Sequence, residues 1–104
     1  MDKGAIAKSK AQLIAEIRHL TASIISDVKA YEVPALCTRL GLETGEEAEA
    51  FSSKYKYAQK RLASVNAGRL VGIARELLNE FRSYDLSEAV AKFDELDGNE
   101  VTEL

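Results

Sequence analysis

The sequence is poor in the residues from which catalytic and metal sites are most often built. Its 104 residues include one cysteine, one histidine, one proline and no tryptophan. A single cysteine cannot form a disulfide within the chain, and Cys37 with His19 cannot supply the four ligands of a structural zinc site. Since a lone thiol favours a reducing compartment, we expect a cytoplasmic protein.

Long apolar runs and ligand-binding fingerprints are also missing. No stretch approaches the ~18 consecutive apolar residues of a membrane span, and the start of the chain lacks the apolar core of a signal peptide. The glycines form neither a P-loop nor a dinucleotide-binding fingerprint, and the acidic residues do not have calcium-loop spacing. We therefore predict no cofactor, no metal and no membrane partner.

The chemistry of an enzyme has few residues on which to rest. A Cys37–His19 pair is formally available, but Cys37 lies between Leu36 and Leu40 in a predicted helix, where a buried structural thiol is favoured. His19 has no nucleophile with a motif beside it, so a surface or packing role is favoured. We predict that the chain is not an enzyme.

The composition is that of a folded domain. Hydrophobic residues make up 46% of the chain and charged residues 30%, which is typical of globular proteins rather than disordered ones. Apolar residues recur every three or four positions, and no strand-like alternation persists. The sequence predicts an all-α, compact bundle of four to five helices, with one domain over residues 1–97 and a tail or linker over 98–104.

The first predicted helix begins after Ser9, a plausible N-cap. One helix of about twenty residues is favoured because no glycine or proline interrupts the periodic pattern. The polar residues Thr21, Ser23 and Ser26 could instead mark a break. The predicted apolar face consists of Leu13, Ile17, Leu20, Ile24, Val28 and Tyr31.

Proline and glycine punctuate the second helix. Pro34 suits a first turn, because its missing N–H has no partner there. Gly41 is the expected left-handed stop, with Leu42 packing back against the helix.

The third helix is predicted from a capping box at Thr44 to Glu47. Ser52 and Ser53 could divide a short acidic turn from the basic helix that follows. The predicted apolar face consists of Phe51, Tyr55, Ala58, Leu62 and Val65.

The fourth and fifth helices complete the bundle. The fourth is predicted over residues 66–81, with Gly68 and Gly72 permitting close helix packing. The fifth begins at a capping-box spacing from Asp85 to Glu88 and is predicted to end before Gly98.

Charge is segregated along a chain whose net charge is −3. Residues 52–84 hold seven bases and two acids, whereas residues 85–104 hold one base and seven acids. Basic side chains neutralise phosphates, and an aromatic residue between them can stack on a nucleic-acid base. The predicted nucleic-acid-binding residues, on a basic face over about residues 52–75, are Lys54, Lys56, Tyr57, Lys60, Arg61 and Arg69.

Two other interpretations of the surface remain open. The basic face can be a solvated surface that faces the acidic segments, because the chain as a whole is acidic. The domain can also be a protein-interaction or oligomerisation module, with Ile14, Ile25 and Val71 as an exposed apolar strip.

Short helical motifs give the sequence a family resemblance. A proline-centred helix ends in Gly-Leu, a Phe-x-Ser-Lys helix follows, and a later helix ends in Glu-Phe. Over about residues 10–85 these motifs resemble the helical N-terminal domain of AbiJ-like abortive-infection proteins of bacterial anti-phage defence. The matching positions are Pro34, Gly41, Leu42, Phe51, Ser53, Lys54, Tyr57, Arg61, Glu80 and Phe81.

The resemblance implies a recognition or sensor domain that precedes a separate effector. In such proteins the effector is often a HEPN-type ribonuclease. This chain lacks the Arg-x4–6-His signature of that ribonuclease, because its one histidine, His19, has no arginine at that spacing before it. The resemblance therefore implies an effector domain beyond residue 104.

Overall fold

A computed structural model describes residues 9–102, with side chains described for residues 9–97. Within this part of the chain the fold is an all-α bundle of six α-helices without strands, one more than the four to five expected. The helices are α1 (Lys10–Ile25), α2 (Val33–Arg39), α3 (Glu47–Ser52), α4 (Lys54–Leu62), α5 (Ala67–Glu80) and α6 (Tyr84–Thr102).

Helix α1 is the centre of the bundle. It packs against α4, α5 and α6, and its face with Leu13, Ile17 and Ile25 is fully buried. Ser9 caps it as predicted: its hydroxyl accepts from the Gln12 N–H at 3.2 Å, and the Gln12 side chain accepts from the Ser9 N–H at 2.8 Å.

The first helix is shorter than the favoured prediction. It ends at Ile25, and the hydroxyl of Ser26 donates to the Ser23 carbonyl at 2.7 Å. A 3-10 turn over Ala30–Glu32 then leads into α2. Tyr31, predicted to continue the apolar face of the first helix, is therefore on a separate element and is exposed.

Helix α2 begins and ends as the sequence predicts. Pro34 lies in its first turn, and Gly41 has a φ of +83°. The N–H groups of Gly41 and Leu42 donate to the carbonyls of Thr38 and Cys37, both at 2.9 Å, which is the Schellman arrangement. Leu42 is buried.

The acidic and basic parts of the predicted third helix are separate helices. Ser53 has extended backbone between α3 and α4, and its hydroxyl accepts from the Lys56 N–H at 3.2 Å. The predicted cap at Thr44 is wrong, because α3 begins only at Glu47 and the Thr44 hydroxyl bonds to that of Thr38.

The last two helices differ from the prediction at their ends. Asn66 caps α5, but the N-cap side chain before α6 is Ser83, not Asp85: its hydroxyl accepts from the Leu86 N–H at 3.2 Å. Helix α6 continues through Gly98 to Thr102 instead of ending before that glycine. Residues 103 and 104 of the predicted tail lie outside the described part of the chain.

The two glycines of α5 do not serve the predicted close packing. A Cβ added at Gly72 would meet no heavy atom within 4 Å, and one at Gly68 would touch only the Asn66 side chain at 3.8 Å. Both positions lie on the exposed face of the helix.

Candidate functional site

The basic face predicted to bind nucleic acid is centred on α4. Helix α4 packs its other side against α1, with Ala58 and Leu62 buried. Among the predicted residues, Lys56 and Lys60 are exposed side by side, one helical turn apart. The others make contacts within the domain.

Tyr57 is a core residue and not part of the exposed face. Its exposed fraction is 0%, and its hydroxyl accepts a hydrogen bond from the Gly45 N–H at 2.6 Å. The ring therefore holds the loop before α3 against α4, and it is not available to stack on a base as the sequence suggested.

Arg61 lies beside Tyr57 and is also withdrawn from solvent. Its side chain is 9% exposed, and its guanidinium carbon lies 3.8 Å from the centre of the Tyr57 ring. Two nitrogens donate to the two carboxylate oxygens of Glu49, at 2.7 and 2.9 Å. This bidentate pair joins α3 to α4.

The pairing of Arg61 with Glu49 shifts the pKa of both side chains. Hydrogen bonding to Glu49 raises the pKa of Arg61, and the same bonds hold the pKa of Glu49 below its usual range. The guanidinium also lies against Gly45, where an added Cβ would collide with it. Its Nε atom is buried and has no partner among the described groups.

Lys54 and Arg69 hold loops in place. The Lys54 ammonium donates to the Val28 carbonyl at 2.9 Å, which ties the segment after α1 to the start of α4. Arg69 donates to the Gly41 carbonyl at the end of α2. Each has nitrogen–hydrogen groups left over, but its position is set by the fold.

A polar groove of about 580 Å³ remains along α3 and α4. The exposed lysines Lys56 and Lys60 line it together with Ser52, Ser53 and Gln59. Glu49 also lines it, but both of its oxygens already accept from Arg61. The other polar groups of the groove are two ammonium groups with hydroxyl and amide groups beside them, although most of its exposed lining surface is apolar.

A second groove, of about 470 Å³, is lined by two aromatic residues together with aliphatic and charged side chains, and we call it the aromatic groove. Tyr31 forms one wall and is 56% exposed. The lining residues are Val28, Tyr31, Glu32, Ala35, Leu36, Arg39, Glu80 and Phe81.

An ion pair crosses the edge of the aromatic groove. Arg39 of α2 makes two hydrogen bonds to the carboxylate of Glu80 of α5. These bonds raise the pKa of Arg39 and lower the pKa of Glu80. Both side chains are about half exposed, so the pair is accessible to a ligand in the groove.

The acidic helix α6 pairs with the basic segment through Arg75 of α5, and no described ion pair joins it to α4. Asp94 of α6 accepts from Arg75 of α5 at 2.9 Å, and Asp97 accepts from Lys10 of α1 at 3.0 Å.

The predicted apolar strip for self-association is wrong. Ile25 and Val71 are buried, and Ile14 is half-buried. The large exposed apolar residues in the described part of the chain are instead Tyr31, Phe51 and Tyr84. Tyr31 and Phe51 were predicted on apolar helix faces because one helical periodicity was continued past the end of α1 and across the break at Ser53.

Cys37 and His19 occupy unrelated environments. Cys37 is fully buried, and burial raises the pKa of its thiol to about 11, so it is a poor nucleophile. The His19 ring is exposed and hydrogen-bonds to the Tyr55 hydroxyl at 2.7 Å. Among the described residues, no group of three histidine, cysteine or carboxylate side chains is placed to hold a metal ion.

No family model matches this chain, and neither does any curated protein or solved structure. Within the described residues, no helix is both long enough and apolar enough to cross a membrane.

Proposed function

We propose that this chain is a non-catalytic recognition domain that binds a protein segment in the aromatic groove. The observation that carries the proposal is the placement of Tyr31, which is 56% exposed and lines a groove together with apolar and charged side chains. Tyrosine and arginine are enriched among the residues that dominate the energy of protein–protein contacts, and Arg39 lines the same groove. The groove is also within the size range of binding sites.

The biological setting of this proposal comes from the family resemblance. The motifs shared with AbiJ-like N-terminal domains support a sensor or adaptor domain within a larger bacterial anti-phage defence protein. In that setting the bound segment belongs to a partner or to an effector domain, and the setting is cytoplasmic.

Site-specific photo-crosslinking tests the aromatic groove in the cells that produce the protein. Tyr31 is replaced by p-benzoylphenylalanine in the full protein, and Ala15, an exposed position on α1, is replaced in the control. We expect a discrete adduct from position 31 that is absent from position 15. Ala35→Arg, at an exposed position lining the groove, should abolish the adduct.

Two results would contradict the proposal. One is the absence of any adduct from position 31 while the protein is produced and folded. The other is the same adduct from positions 31 and 15, which would indicate non-specific contact.

A second candidate function is nucleic-acid binding through the polar groove. The specific observation in its favour is the pair Lys56 and Lys60, exposed beside hydroxyl and amide donors with the nearest carboxylate occupied. Two lysines give a log–log salt slope near −2, because each phosphate contact on duplex DNA contributes about −0.9. Binding would therefore be weaker than the binding expected from the six residues predicted from the sequence.

Titration of labelled single- and double-stranded DNA and RNA at low and at physiological salt tests this second function. Reversing both Lys56 and Lys60 to glutamate should abolish binding, whereas Lys92→Glu on α6 should have little effect. No binding at low salt, or binding that survives the double reversal, would reject it.

A further inference from the structure

The charged side chains that line the aromatic groove are more often acidic than basic. They are Glu32 in the 3-10 turn, Arg39 on α2 and Glu80 on α5. The two described bonds of the Arg39 guanidinium both go to the Glu80 carboxylate, so these two charges offset each other. No described ion pair involves Glu32, whose carboxylate accepts from the Lys29 backbone N–H at 3.3 Å. One carboxylate of the lining therefore has no cation paired with it.

A further carboxylate acts on the edge of the groove. Hydrogen bonding to Glu80 is the main cause that raises the pKa of Arg39, and the negative charge of Glu76, one turn earlier on α5, adds to the rise. If a second cation drew Glu80 away, Arg39 would therefore keep a negative neighbour. An anion that took Arg39 would instead leave three carboxylates at or beside the groove uncompensated. The electrostatics therefore favour a cation as occupant.

The Tyr31 ring already accepts a cation from its own chain. The Lys29 ammonium lies 6.0 Å from the ring centre, at the outer limit of a cation–π contact. Lys29 is exposed on a flexible stem, so an incoming cation can displace it. The other nearby base is Lys54, whose ammonium donates to the Val28 carbonyl. Neither lysine lines the groove, and Tyr31 remains 56% exposed.

We propose that the segment bound in the aromatic groove carries a lysine or arginine side chain beside an apolar one. The cation lies at Tyr31 and the carboxylates of Glu32 and Glu80, and the apolar side chain packs on Val28 and Ala35. This inference rests on the proposed function, since it names the chemistry of the same occupant. Aromatic rings and carboxylates are the groups that bind ammonium and guanidinium ions in proteins.

Titration of the isotopically labelled whole chain with short peptides, followed by the backbone amide signals in NMR spectra, tests the charge of the occupant. The probes are four end-blocked peptides, Gly-Ser-Leu-X-Leu-Ser-Gly, in which X is arginine, lysine, glutamine or glutamate. We expect the arginine and lysine peptides to shift the signals of Tyr31, Ala35 and Glu80. The glutamine peptide should bind up to about fivefold more weakly, the effect of one exposed ion pair, and the glutamate peptide should produce no shift.

Variants of the groove test which side chains select the cation. Glu32→Gln and Glu80→Gln should each weaken the arginine peptide by up to about fivefold and leave the glutamine peptide unchanged. Lys29→Met removes the cation already at Tyr31 and should strengthen the arginine peptide. The matched control is Glu95→Gln, which removes an exposed carboxylate of α6 outside the groove and should change nothing. The same spectra show whether each variant is folded.

Equal binding of the arginine and glutamine peptides at the groove would overturn this inference and leave the proposed function standing. Tighter binding of the glutamate peptide, or no shift at Tyr31 with any of the four, would also overturn it. So would an equal loss in Glu95→Gln and Glu32→Gln, because net charge and not the groove would then attract the peptides. The crosslinking at position 31 decides the proposed function separately.

Discussion

Replacing Arg61 with alanine should lower the free energy of unfolding by about 2–4 kcal/mol. This magnitude combines the loss of hydrogen bonds between charged groups with the loss of the guanidinium stacked on an aromatic ring. The arginine makes two bonds to Glu49 and covers the Tyr57 ring at 3.8 Å. The alanine variant loses both contacts and leaves a gap in an almost fully buried region. The loss is kept below that of a fully buried pair because Glu49, a third exposed, can be rehydrated.

Urea denaturation followed by far-UV circular dichroism measures this loss. The matched control is Arg39→Ala, because Arg39 also makes a bidentate pair, with Glu80, but is 60% exposed. Surface pairs contribute little to stability, so the control should remain close to the wild-type chain. Equal losses in the two variants would refute the argument that burial makes the Arg61 pair important.

Four further outcomes are expected. The wild-type chain should exceed Arg61→Ala in free energy of unfolding by the full amount at pH values above 4.5, the ordinary pKa of a glutamate side chain. The difference should shrink as the pH falls through the lower pKa of Glu49 in the folded chain, because protonation breaks the pair. Urea midpoints measured across acidic pH would show this, and a constant difference would contradict it. Thr21→Val should stabilise the domain by about 1 kcal/mol, since the buried hydroxyl has no hydrogen-bond partner among the described groups; a loss of stability in the same denaturation assay would show that the hydroxyl is satisfied. Gly72→Ala should raise stability by about 0.5–1 kcal/mol, because the new Cβ meets open space; a lower thermal midpoint would count against it. Cys37 should react with a thiol reagent only as fast as the domain opens, because burial raises its pKa to about 11 and shields it; rapid labelling of the folded chain would be inconsistent with that placement.

Local signals predicted much of the fold. Ser9, Pro34 and Gly41 mark helix ends through chemistry that acts within one turn: a hydroxyl on an N–H, a missing N–H, and a backbone free to take positive φ. The all-α class, and the helix ends that Ser9, Pro34 and Gly41 mark, were therefore predictable from the sequence. Signals of the same kind failed at Thr44, whose hydroxyl bonds to that of Thr38, and at Asp85, because Ser83 caps α6.

The side chains of the candidate site were less predictable for two physical reasons. Helical periodicity is valid only inside one helix, and the break at Ser53 resets the angular relation between Phe51 and the residues after it. Phe51 is exposed as a result, whereas Tyr57 is buried and its hydroxyl accepts from the Gly45 N–H of the loop before α3. The second reason is that Arg61 was assigned to solvent by its charge, whereas a carboxylate twelve positions earlier withdraws it, a contact that needs the tertiary fold.

The central place of α1 determines how the chain must fold. Helix α1 precedes α4, α5 and α6 in the chain, yet it packs against all three. A helix of 16 residues is only marginally stable alone in water. The apolar face of α1 is therefore only partly covered until α6 is in place, so a chain truncated after α5 should be less stable than the whole domain and more prone to aggregate.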